Sequence, residues 1–313
     1  YEIYQCDWSS DVCSSDLEPV RFHVKLTKKG DEFIVDFTGT SPQGRGALHL
    51  NEAFTASCSY AALRCVIDPD LPNNAGFYKP ITIIAPPGTF TNVRSPAAVG
   101  ARGQGGYRVR STVLGALAML LPGKVPACAG GSEFAIVFAG YEGEARRAYL
   151  HLEFHNTSGQ GGGPDRDGQD GGPYAIGNLA NVPAELIEAE NPILVEEYAF
   201  IPDSGGAGQY RGALGIARQY RLLTDEATVQ LRSDRHNHPC FGLFGGKPGA
   251  LARSIFNPQG KADPAPSKFV RTMNRGEVFR GEMAGSGGYG DPFTRDPASV
   301  LEDVRQEKVT LTS

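Results

Sequence analysis

The chain has 313 residues, of which 40% are hydrophobic and 21% are charged, and its formal net charge is −5. This balance is typical of a globular protein and gives no sign of a nucleic-acid partner, which would call for a basic surface. The apolar runs, such as residues 113–121, are shorter than the roughly 20 residues that cross a bilayer, so no membrane partner is expected. Forty glycines and 22 prolines predict many turns and short elements. We therefore expect an α+β fold with β-rich mixed sheets, a few packing helices and long glycine-rich loops.

The first 17 residues differ in composition from the rest of the sequence. They hold the single tryptophan, two of the six cysteines and four acidic residues, and they contain no basic residue. They lack the basic and apolar regions of a signal peptide. We expect residues 1–17 to be a non-native leader of the kind produced by a translated sequencing adapter. Without its four acids, 31 of the 35 acidic residues remain against 30 basic ones, a net charge of −1.

The remaining cysteines are Cys58, Cys65, Cys128 and Cys240, and no two of them form a CxxC pair. Cys58 and Cys65 are seven residues apart in a predicted helix, where they would share its apolar face. Unpaired thiols are typical of the reducing cytosol, so a cytoplasmic location is expected.

Hydrophobic periodicity predicts the elements of the first part of the chain. Apolar residues alternate on both sides of Lys29, Gly30 and Asp31, which indicates a hairpin. The predicted elements are a hairpin over residues 21–38, a helix over 52–66, a turn over 73–76, a strand over 81–85 and a helix from about 107 to 121.

The second part of the chain reads as strands separated by glycine-rich loops. Predicted strands cover residues 132–139, 147–154, 194–200, 216–222 and 227–232, and predicted helices cover 184–189 and 298–306. Three glycine clusters interrupt them, at residues 158–172, 203–208 and 284–292.

Residues 158–172 are the most unusual stretch, because seven of the 15 are glycine and three are aspartate. One interpretation is a flexible linker, and the other is a site loop whose amides and carboxylates face a ligand. An acid, glycines and an arginine recur over residues 203–211, which favours the site loop.

Candidate site residues lie in these two loops. A carboxylate can act as a general acid or base, backbone amides can cradle an anionic group, and a guanidinium can bind it through two hydrogen bonds. The catalytic candidates are Asp167, Asp170 and Asp203. The substrate-binding candidates are Gly161, Gly162, Gly163, Arg166, Ser204 and Arg211.

A weak metal-binding pattern follows the last predicted strand. Asp234, His236 and His238 alternate, so on an extended segment their side chains would point the same way and could form a facial ligand set. Chance placement near a strand end is the alternative, and we expect the metal to be bound elsewhere.

Six phrases occur together in a fixed order across about residues 18–310. They are Val-Asp-Phe-Thr-Gly-Thr-Ser at 35–41, Pro-Asn-Asn-Ala-Gly at 72–76, the glycines and aspartates of 161–171, residues 203–212, Gly-Gly-Lys-Pro-Gly at 245–249 and Gly-Gly-Tyr-Gly-Asp-Pro at 287–292. With these phrases the chain resembles the B subunits of the hydantoinase/5-oxoprolinase family. That family includes N-methylhydantoinase B and the α subunit of acetone carboxylase.

The resemblance implies an enzyme that opens hydantoins or 5-oxoproline-like cyclic amides at the expense of ATP. It implies a partner A-type subunit that uses ATP to phosphorylate the ring oxygen, and a B-type subunit that helps to hydrolyse the activated species at a divalent metal (Mn, Zn or Mg). The family's metal-binding phrases precede the part that this chain resembles. We therefore expect a C-terminal fragment that is inactive alone and whose metal is bound by the preceding part.

Two alternatives stay open. A carboxylase α subunit would use the same fold, but its activated intermediate would meet a carbon nucleophile instead of water. A non-catalytic half would shape the interface with the A-type subunit and leave the chemistry to the rest of the protein.

Overall fold

The computed structural model describes residues 2–10, 19–68, 70–132, 134–155, 159–172, 177 and 179–312, with residues 2–10 and His155 described by their backbone alone. Residues 1 and 11–17 of the predicted leader, and Ser158 of the predicted glycine loop, lie outside the described residues. The chain divides into two compact units, Tyr1–Pro126 and Ala127–Ser313. In the described part of the chain, no helix combines the length and the hydropathy needed to cross a membrane.

The first unit is a four-stranded sheet with three helices. Its elements are β1 (Glu2–Ser10), β2 (Val20–Lys29), β3 (Glu32–Asp36), α1 (Glu52–Arg64), α2 (Ala75–Tyr78), β4 (Ile81–Ile84) and α3 (Arg102–Leu120). The strand order is β1-β2-β3-β4, with β3 and β4 parallel and the other pairs antiparallel.

The predicted hairpin is confirmed. Phe22, Val24 and Leu26 alternate inward along β2 and are fully buried. Gly30 supplies the left-handed turn before β3, with φ of +58°. Pairing of residues 2–10 with β2 does not test whether the leader is native, because backbone pairing needs no particular side chains.

The start of α3 corrects the sequence prediction. The helix was expected from about residue 107, but it begins at Arg102 and includes a glycine-rich turn. Glycine costs about 1 kcal/mol inside a helix. Packing outweighs this cost here, because a Cβ on Gly105 would lie 2.6 Å from Leu50 and one on Gly106 would lie 2.7 Å from Phe54.

The second unit contains two antiparallel sheets over a shared core. Its elements are β5 (Phe134–Glu142), β6 (Arg147–His155), α4 (Ala184–Glu190), β7 (Ile193–Phe200), β8 (Ile216–Leu222), β9 (Glu226–Arg232), β10 (Arg253–Phe256), β11 (Asp263–Ala265), β12 (Lys268–Asn274), β13 (Val278–Glu282) and α5 (Pro297–Arg305). The strand orders are β11-β10-β13-β8-β7 and β12-β9-β5-β6. The core includes Phe134, Phe138, Tyr220, Phe256 and Phe279.

The strands from β10 to β13 were not predicted. Three of them have only three to five residues, and polar residues interrupt the apolar pattern of the seven-residue β12, so their periodicity is weak. The predicted fold class is nevertheless confirmed, because the chain combines mixed sheets of several strands with a few helices.

Candidate functional site

Five glycine-rich segments of the second unit lie against one another. They are residues 127–131, 159–172, 203–215, 240–250 and 284–290, and we call them together the glycine bundle. They form neither helix nor extended strand, apart from isolated bridges such as Tyr210 to Tyr289. The predicted glycine loops are therefore parts of one structure.

Hydrogen bonds between backbone groups hold the glycine bundle together. The Ala127 amide donates to the Gly162 carbonyl at 2.8 Å, the Gly162 amide donates to Gly287 at 2.9 Å, and the Gly287 amide donates to Cys128 at 2.8 Å. These hydrogen bonds join segments that are more than 120 residues apart in the sequence, and the last of them returns to the segment that contains Ala127. A buried backbone amide or carbonyl cannot hydrogen-bond to bulk water, so it needs a partner within the protein.

The segments approach too closely for side chains. A Cβ on Gly161 would lie 2.0 Å from the Ala127 carbonyl oxygen, and one on Gly285 would lie 1.7 Å from that of Ser204. One on Gly287 would lie 1.9 Å from the Phe241 oxygen. Glycine is required at these positions by packing, as it is at the axis of collagen.

This packing bears on the predicted role of Gly161, Gly162 and Gly163 in substrate binding. All three are buried, and the amides of Gly162 and Gly163 donate to the carbonyls of Gly287 and Arg166. Those two amides are already used inside the protein, so the arrangement accounts for these glycines without a ligand. Their binding role stays a prediction.

An ionic cluster borders the glycine bundle. It consists of Asp167, Asp170, Arg211, Arg295, Asp303 and Lys308. Arg211 Nη1 and Nη2 donate to the two Asp170 oxygens at 3.1 Å each, and Lys308 Nζ lies 3.0 Å from Asp170 Oδ2. The Leu214 amide donates to Asp170 Oδ1 at 2.8 Å.

Arg295 joins the other two carboxylates of the cluster. It donates to Asp167 through Nη1 at 2.6 Å and Nη2 at 2.8 Å, and Nη2 also donates to Asp303 at 2.6 Å. Arg211 contributes its backbone amide, which donates to Asp167 at 2.7 Å. Three positive and three negative groups therefore compensate one another, which a buried charge requires.

Asp203 lies in a tight turn, with φ of +60°, and holds the C-terminal segment. Its Oδ1 accepts the Thr310 amide at 2.8 Å, and its own amide donates to the Lys308 carbonyl at 3.0 Å. Aspartate adopts left-handed backbone more readily than most residues. The contacts of Asp203 are those of a structural anchor.

The ionic partners lower the pKa values of two candidate carboxyls. Burial raises the pKa of Asp167, but hydrogen bonds from Arg295 and from the Arg211 amide outweigh it and hold the pKa below 3.8. For Asp170, hydrogen bonds from Arg211 and Leu214 outweigh burial in the same way. A carboxylate with a lowered pKa is a weak base near neutral pH, which disfavours a general-base role.

The other two candidates in these loops have different surroundings. Arg166 is exposed and pairs with the exposed Asp165 at 3.3 Å, so its guanidinium faces solvent. Ser204 is buried, donates through Oγ to the Ile201 carbonyl at 2.5 Å and accepts the Gly215 amide at 2.8 Å. The structure thus brings Asp167, Asp170 and Arg211 together and leaves Arg166 apart from them.

Two of the three weak metal candidates, Asp234 and His236, have partners within the protein. Asp234 accepts the Arg235 amide at 2.9 Å, and His236 Nε2 lies 3.1 Å from Ser254 Oγ. Within the described ranges, no group of three or more His, Cys, Asp or Glu side chains is placed to hold a metal ion. The described residues therefore do not fit the divalent metal that the resemblance implies.

Sequence reasoning missed Arg295, Asp303 and Lys308 of the ionic cluster. A helix is predicted over residues 298–306, and in the structure α5 buries Asp303 and exposes Val300 and Leu301. The Asp296-Pro297 pair indicates where this helix begins, and this start fixes the helix register. It gives no sign of which face points inward.

A second buried charge cluster was also missed. Arg218 and Glu153 form an ion pair between β8 and β6, and neither is more than 1% exposed. The Tyr220 hydroxyl donates to Glu153 at 2.8 Å, and Arg218 also donates to the Val182 carbonyl at 2.7 Å. This cluster joins the two sheets of the unit.

Comparison with known proteins gives the class of the chain. The family model described as hydantoinase B/oxoprolinase matches residues 2–292. The chain belongs to the hydantoinase B/oxoprolinase family. The predicted family is thereby confirmed.

Three relatives illustrate this membership. An uncharacterized protein of Methanocaldococcus jannaschii is 35% identical over 94% of this chain and 51% of its own length. The putative B subunit of a D-/L-hydantoinase from a Pseudomonas species is 30% identical over 96% of this chain and 51% of its length. The caprolactamase β subunit of Pseudomonas jessenii is 30% identical over 77% and 43%. The chain spans about half the length of these relatives.

Two solved structures share the fold. A nucleotide-free acetone carboxylase matches with a TM-score of 0.87 and 17% identity, over 99% of this chain and 48% of that one. The ATP-dependent caprolactamase from Pseudomonas jessenii matches with a TM-score of 0.86 and 23% identity, over 99% and 55%. At these identities the likeness is one of fold.

Proposed function

We propose that this chain is part of a B-type subunit that opens a cyclic amide at the expense of ATP, together with an A-type subunit. One observation carries the proposal: family membership extends over residues 2–292 and includes a relative, 30% identical, that is named as the putative B subunit of a hydantoinase. The relative named as the β subunit of caprolactamase supports cyclic amides as the substrate class. Hydantoins, 5-oxoproline and caprolactam are the substrates to test.

We place the cofactors outside this chain. In the proposal the A-type subunit uses ATP, and the divalent metal is held by the part of the B-type subunit that this chain does not contain. Support comes from the coverage of about half of each relative and from the partners of Asp234 and His236 described above. We also propose a cytoplasmic location, which fits free thiols at Cys58, Cys65, Cys128 and Cys240.

The test uses the complete B-type subunit co-expressed with its A-type partner. Ring-opened product and ADP are measured with hydantoin, 5-oxoproline and ε-caprolactam, and each reaction is repeated without ATP and without the A-type subunit. We expect ATP-dependent opening of at least one ring. Consumption of bicarbonate with acetone, and no opening of any ring, would instead identify a carboxylase.

A second candidate is a non-catalytic role for this part of the subunit. The observation that favours it is that Asp167, Asp170 and Asp203 bind arginine, lysine or backbone partners. Asp203→Asn keeps an oxygen that can accept the Thr310 amide, so it removes charge with little structural change. If this part is non-catalytic, Asp203→Asn and Asp167→Asn leave kcat of the folded complex intact. A large loss of kcat at unchanged stability would contradict the candidate.

A further inference from the structure

Two buried thiols of the second unit lie together in the glycine bundle. Cys128 is 4% exposed and Cys240 is fully buried. Their Sγ atoms contact the same acceptor, the Ala129 carbonyl oxygen, at 3.4 Å and 3.3 Å, and Cys240 Sγ also lies 3.0 Å from the Gly130 oxygen. Because both sulfurs contact one oxygen atom, they are close neighbours in the core.

The backbone holds these two cysteines side by side. The Cys128 amide donates at 3.1 Å to the carbonyl of Phe241, the residue that follows Cys240. The Cys128 carbonyl accepts the Gly287 amide at 2.8 Å, and the Cys240 carbonyl accepts the Gly249 amide at 3.1 Å. A disulfide needs Cα atoms about 4.4–6.8 Å apart, and neighbouring hydrogen-bonded segments bring Cα atoms into this range. Rotation of the side chains can then bring the sulfurs together.

A buried arginine contacts one of the two sulfurs. The guanidinium of Arg235, which is 4% exposed, donates through Nη2 to Cys128 Sγ at 3.1 Å. A cation in contact with a cysteine sulfur favours the thiolate, which is the form that attacks oxidants. The Cys240 sulfur instead contacts carbonyl oxygens, which favour the protonated thiol as a donor. The surroundings therefore make Cys128 the more nucleophilic of the pair.

The backbone of Arg235 has an uncommon conformation. Its φ is +70°, a left-handed value that long side chains rarely adopt. Two hydrogen bonds hold it there: the Arg235 amide donates to Asp234 Oδ1 at 2.9 Å, and the Arg235 carbonyl accepts the Ala252 amide at 2.9 Å. Strained residues of this kind persist where the surroundings over-determine them, and they cluster at functional sites. The strained residue is the one whose guanidinium contacts Cys128.

We propose that Cys128 and Cys240 form a redox-sensitive modification site, at which a hydroperoxide oxidises the two thiols to a disulfide that thiol reductants reopen. The Cys128 thiolate attacks one peroxide oxygen, the O–O bond breaks, and the other oxygen leaves as water or an alcohol after taking up a proton. The Cys240 sulfur then attacks the sulfenic sulfur of Cys128, so that the S–S bond forms and water leaves. Two thiols lose two electrons and the peroxide gains them.

Burial and location define what this site senses. Hydrogen peroxide is close to water in size, whereas bulky thiol reagents reach buried sulfurs slowly. Disulfides of cytosolic proteins are usually transient and redox-sensing, which agrees with the proposed cytoplasmic location. The bond would join residues 127–131 covalently to residues 240–250 and close a long loop of the chain. Such a cross-link constrains the unfolded state, so the oxidised protein should unfold at a higher temperature.

The test treats the complete two-subunit enzyme with hydrogen peroxide, removes the oxidant with catalase and maps the peptides by mass spectrometry with and without dithiothreitol. Cys128→Ser and Cys240→Ser keep a hydroxyl that can donate to the Ala129 carbonyl, so both variants should fold. Cys65→Ser is the matched control, because it removes an exposed thiol of the first unit. Arg235→Gln removes the cation and Arg235→Lys keeps it, and thermal unfolding reports whether each variant folds.

We expect oxidised wild type and Cys65→Ser to yield peptides linked through Cys128 and Cys240, with a rise in unfolding temperature that dithiothreitol reverses. Neither serine variant at these two positions should yield the link. In Cys240→Ser, dimedone should trap Cys128 as a sulfenic acid. Arg235→Gln should slow formation of the link about tenfold or more, and Arg235→Lys should restore part of the rate.

Three outcomes would overturn the inference. The first is folded wild type in which Cys65 is oxidised and no link between Cys128 and Cys240 forms. The second is a link that dithiothreitol does not open in the folded enzyme. The third is a folded Arg235→Gln variant that forms the link at the wild-type rate, which would remove the reason for assigning the attack to Cys128. Peptide mapping does not depend on turnover, so failure of the proposed amide-opening activity would leave this test unaffected.

Discussion

The guanidinium of Arg211 and the carboxylate of Asp170 meet in two parallel contacts of 3.1 Å, with side chains only 6% and 11% exposed. The pair joins two glycine-rich segments, and the Leu214 amide completes it with a third hydrogen bond to Asp170. Paired geometry of this kind is the strongest form of ion pair that arginine makes. Asp170, one of the predicted catalytic carboxylates, therefore holds two segments of the glycine bundle together.

Asp170→Asn tests this role through stability. The change leaves Arg211 buried beside a neutral amide, and breaking a buried pair in this way costs about 3–5 kcal/mol. We expect a loss of unfolding free energy near the lower end, because Asp303 still contacts Arg211. Denaturant unfolding of the variant and the wild type gives the difference.

The control for this prediction is Arg166→Gln, which removes an exposed pair in the same loop. Its side chain and that of Asp165 are more than two-thirds exposed, so the pair should contribute less than about 1 kcal/mol. Equal effects of the two substitutions would show that burial does not determine the contribution of either pair.

The lowered pKa values of Asp167 and Asp170 predict acid sensitivity. Both folded-state pKa values lie below the ordinary 3.8, so the folded state binds fewer protons than the unfolded state in this range. Their contribution to stability is complete above the unfolded pKa and is lost as the pH falls through the folded pKa. We expect the unfolding free energy to fall below about pH 4.

Measurement of unfolding free energy between about pH 6 and pH 2.5 checks this prediction. In Asp170→Asn the same curve should be flatter, because one of the two carboxyls no longer titrates. A variant curve with the same slope as the wild type would place the acid sensitivity at other carboxyls.

Glycine packing predicts a sharp contrast between two alanine substitutions in the second unit. A Cβ at Gly285 would lie 1.7 Å from the Ser204 carbonyl oxygen, whereas at Gly260 the nearest atom is 4.0 Å away. Because the obstacle at Gly285 is backbone, it cannot move aside without breaking the hydrogen bonds of the bundle. Gly285→Ala should cost more than about 3 kcal/mol, and Gly260→Ala should change stability by less than about 1 kcal/mol. Thermal and denaturant unfolding distinguish them, and similar values would refute the packing argument.

Local patterns predicted the parts of the fold that depend on neighbours in sequence. The hairpin at β2 and β3 follows from alternating apolar residues and Gly30, and α1 begins where Asn51 caps it through the Phe54 amide. Strands β10, β11 and β13 were missed because they have only three to five residues, and β12 was missed because polar residues interrupt its apolar pattern.

The glycine bundle and its ionic cluster could be predicted only in part. High glycine content marked the segments, but it does not show that Gly162 and Gly287, which are 125 residues apart, share a hydrogen bond. The link between Asp167 and Arg295 is of the same kind, at a separation of 128 residues. The structure shows that residues of these loops contact distant parts of the chain, and a role for them toward a ligand stays a prediction.

The buried pair of Glu153 and Arg218 supports a final prediction, on how charge is balanced between the two sheets. Glu153→Gln leaves Arg218 uncompensated at 0% exposure, and Arg218→Met leaves the carboxylate with the Tyr220 hydroxyl, so each change should cost about 3–5 kcal/mol. The double variant removes both charges, and the oxygen of its new side-chain amide can still accept the hydrogen bond from Tyr220. We therefore expect its loss of unfolding free energy to be at least about 2 kcal/mol smaller than the sum of the single losses. Denaturant unfolding of the four proteins forms the cycle. Additive losses, within about 0.5 kcal/mol, would mean that the two side chains stabilise the unit independently and that the ion pair does not couple β6 to β8.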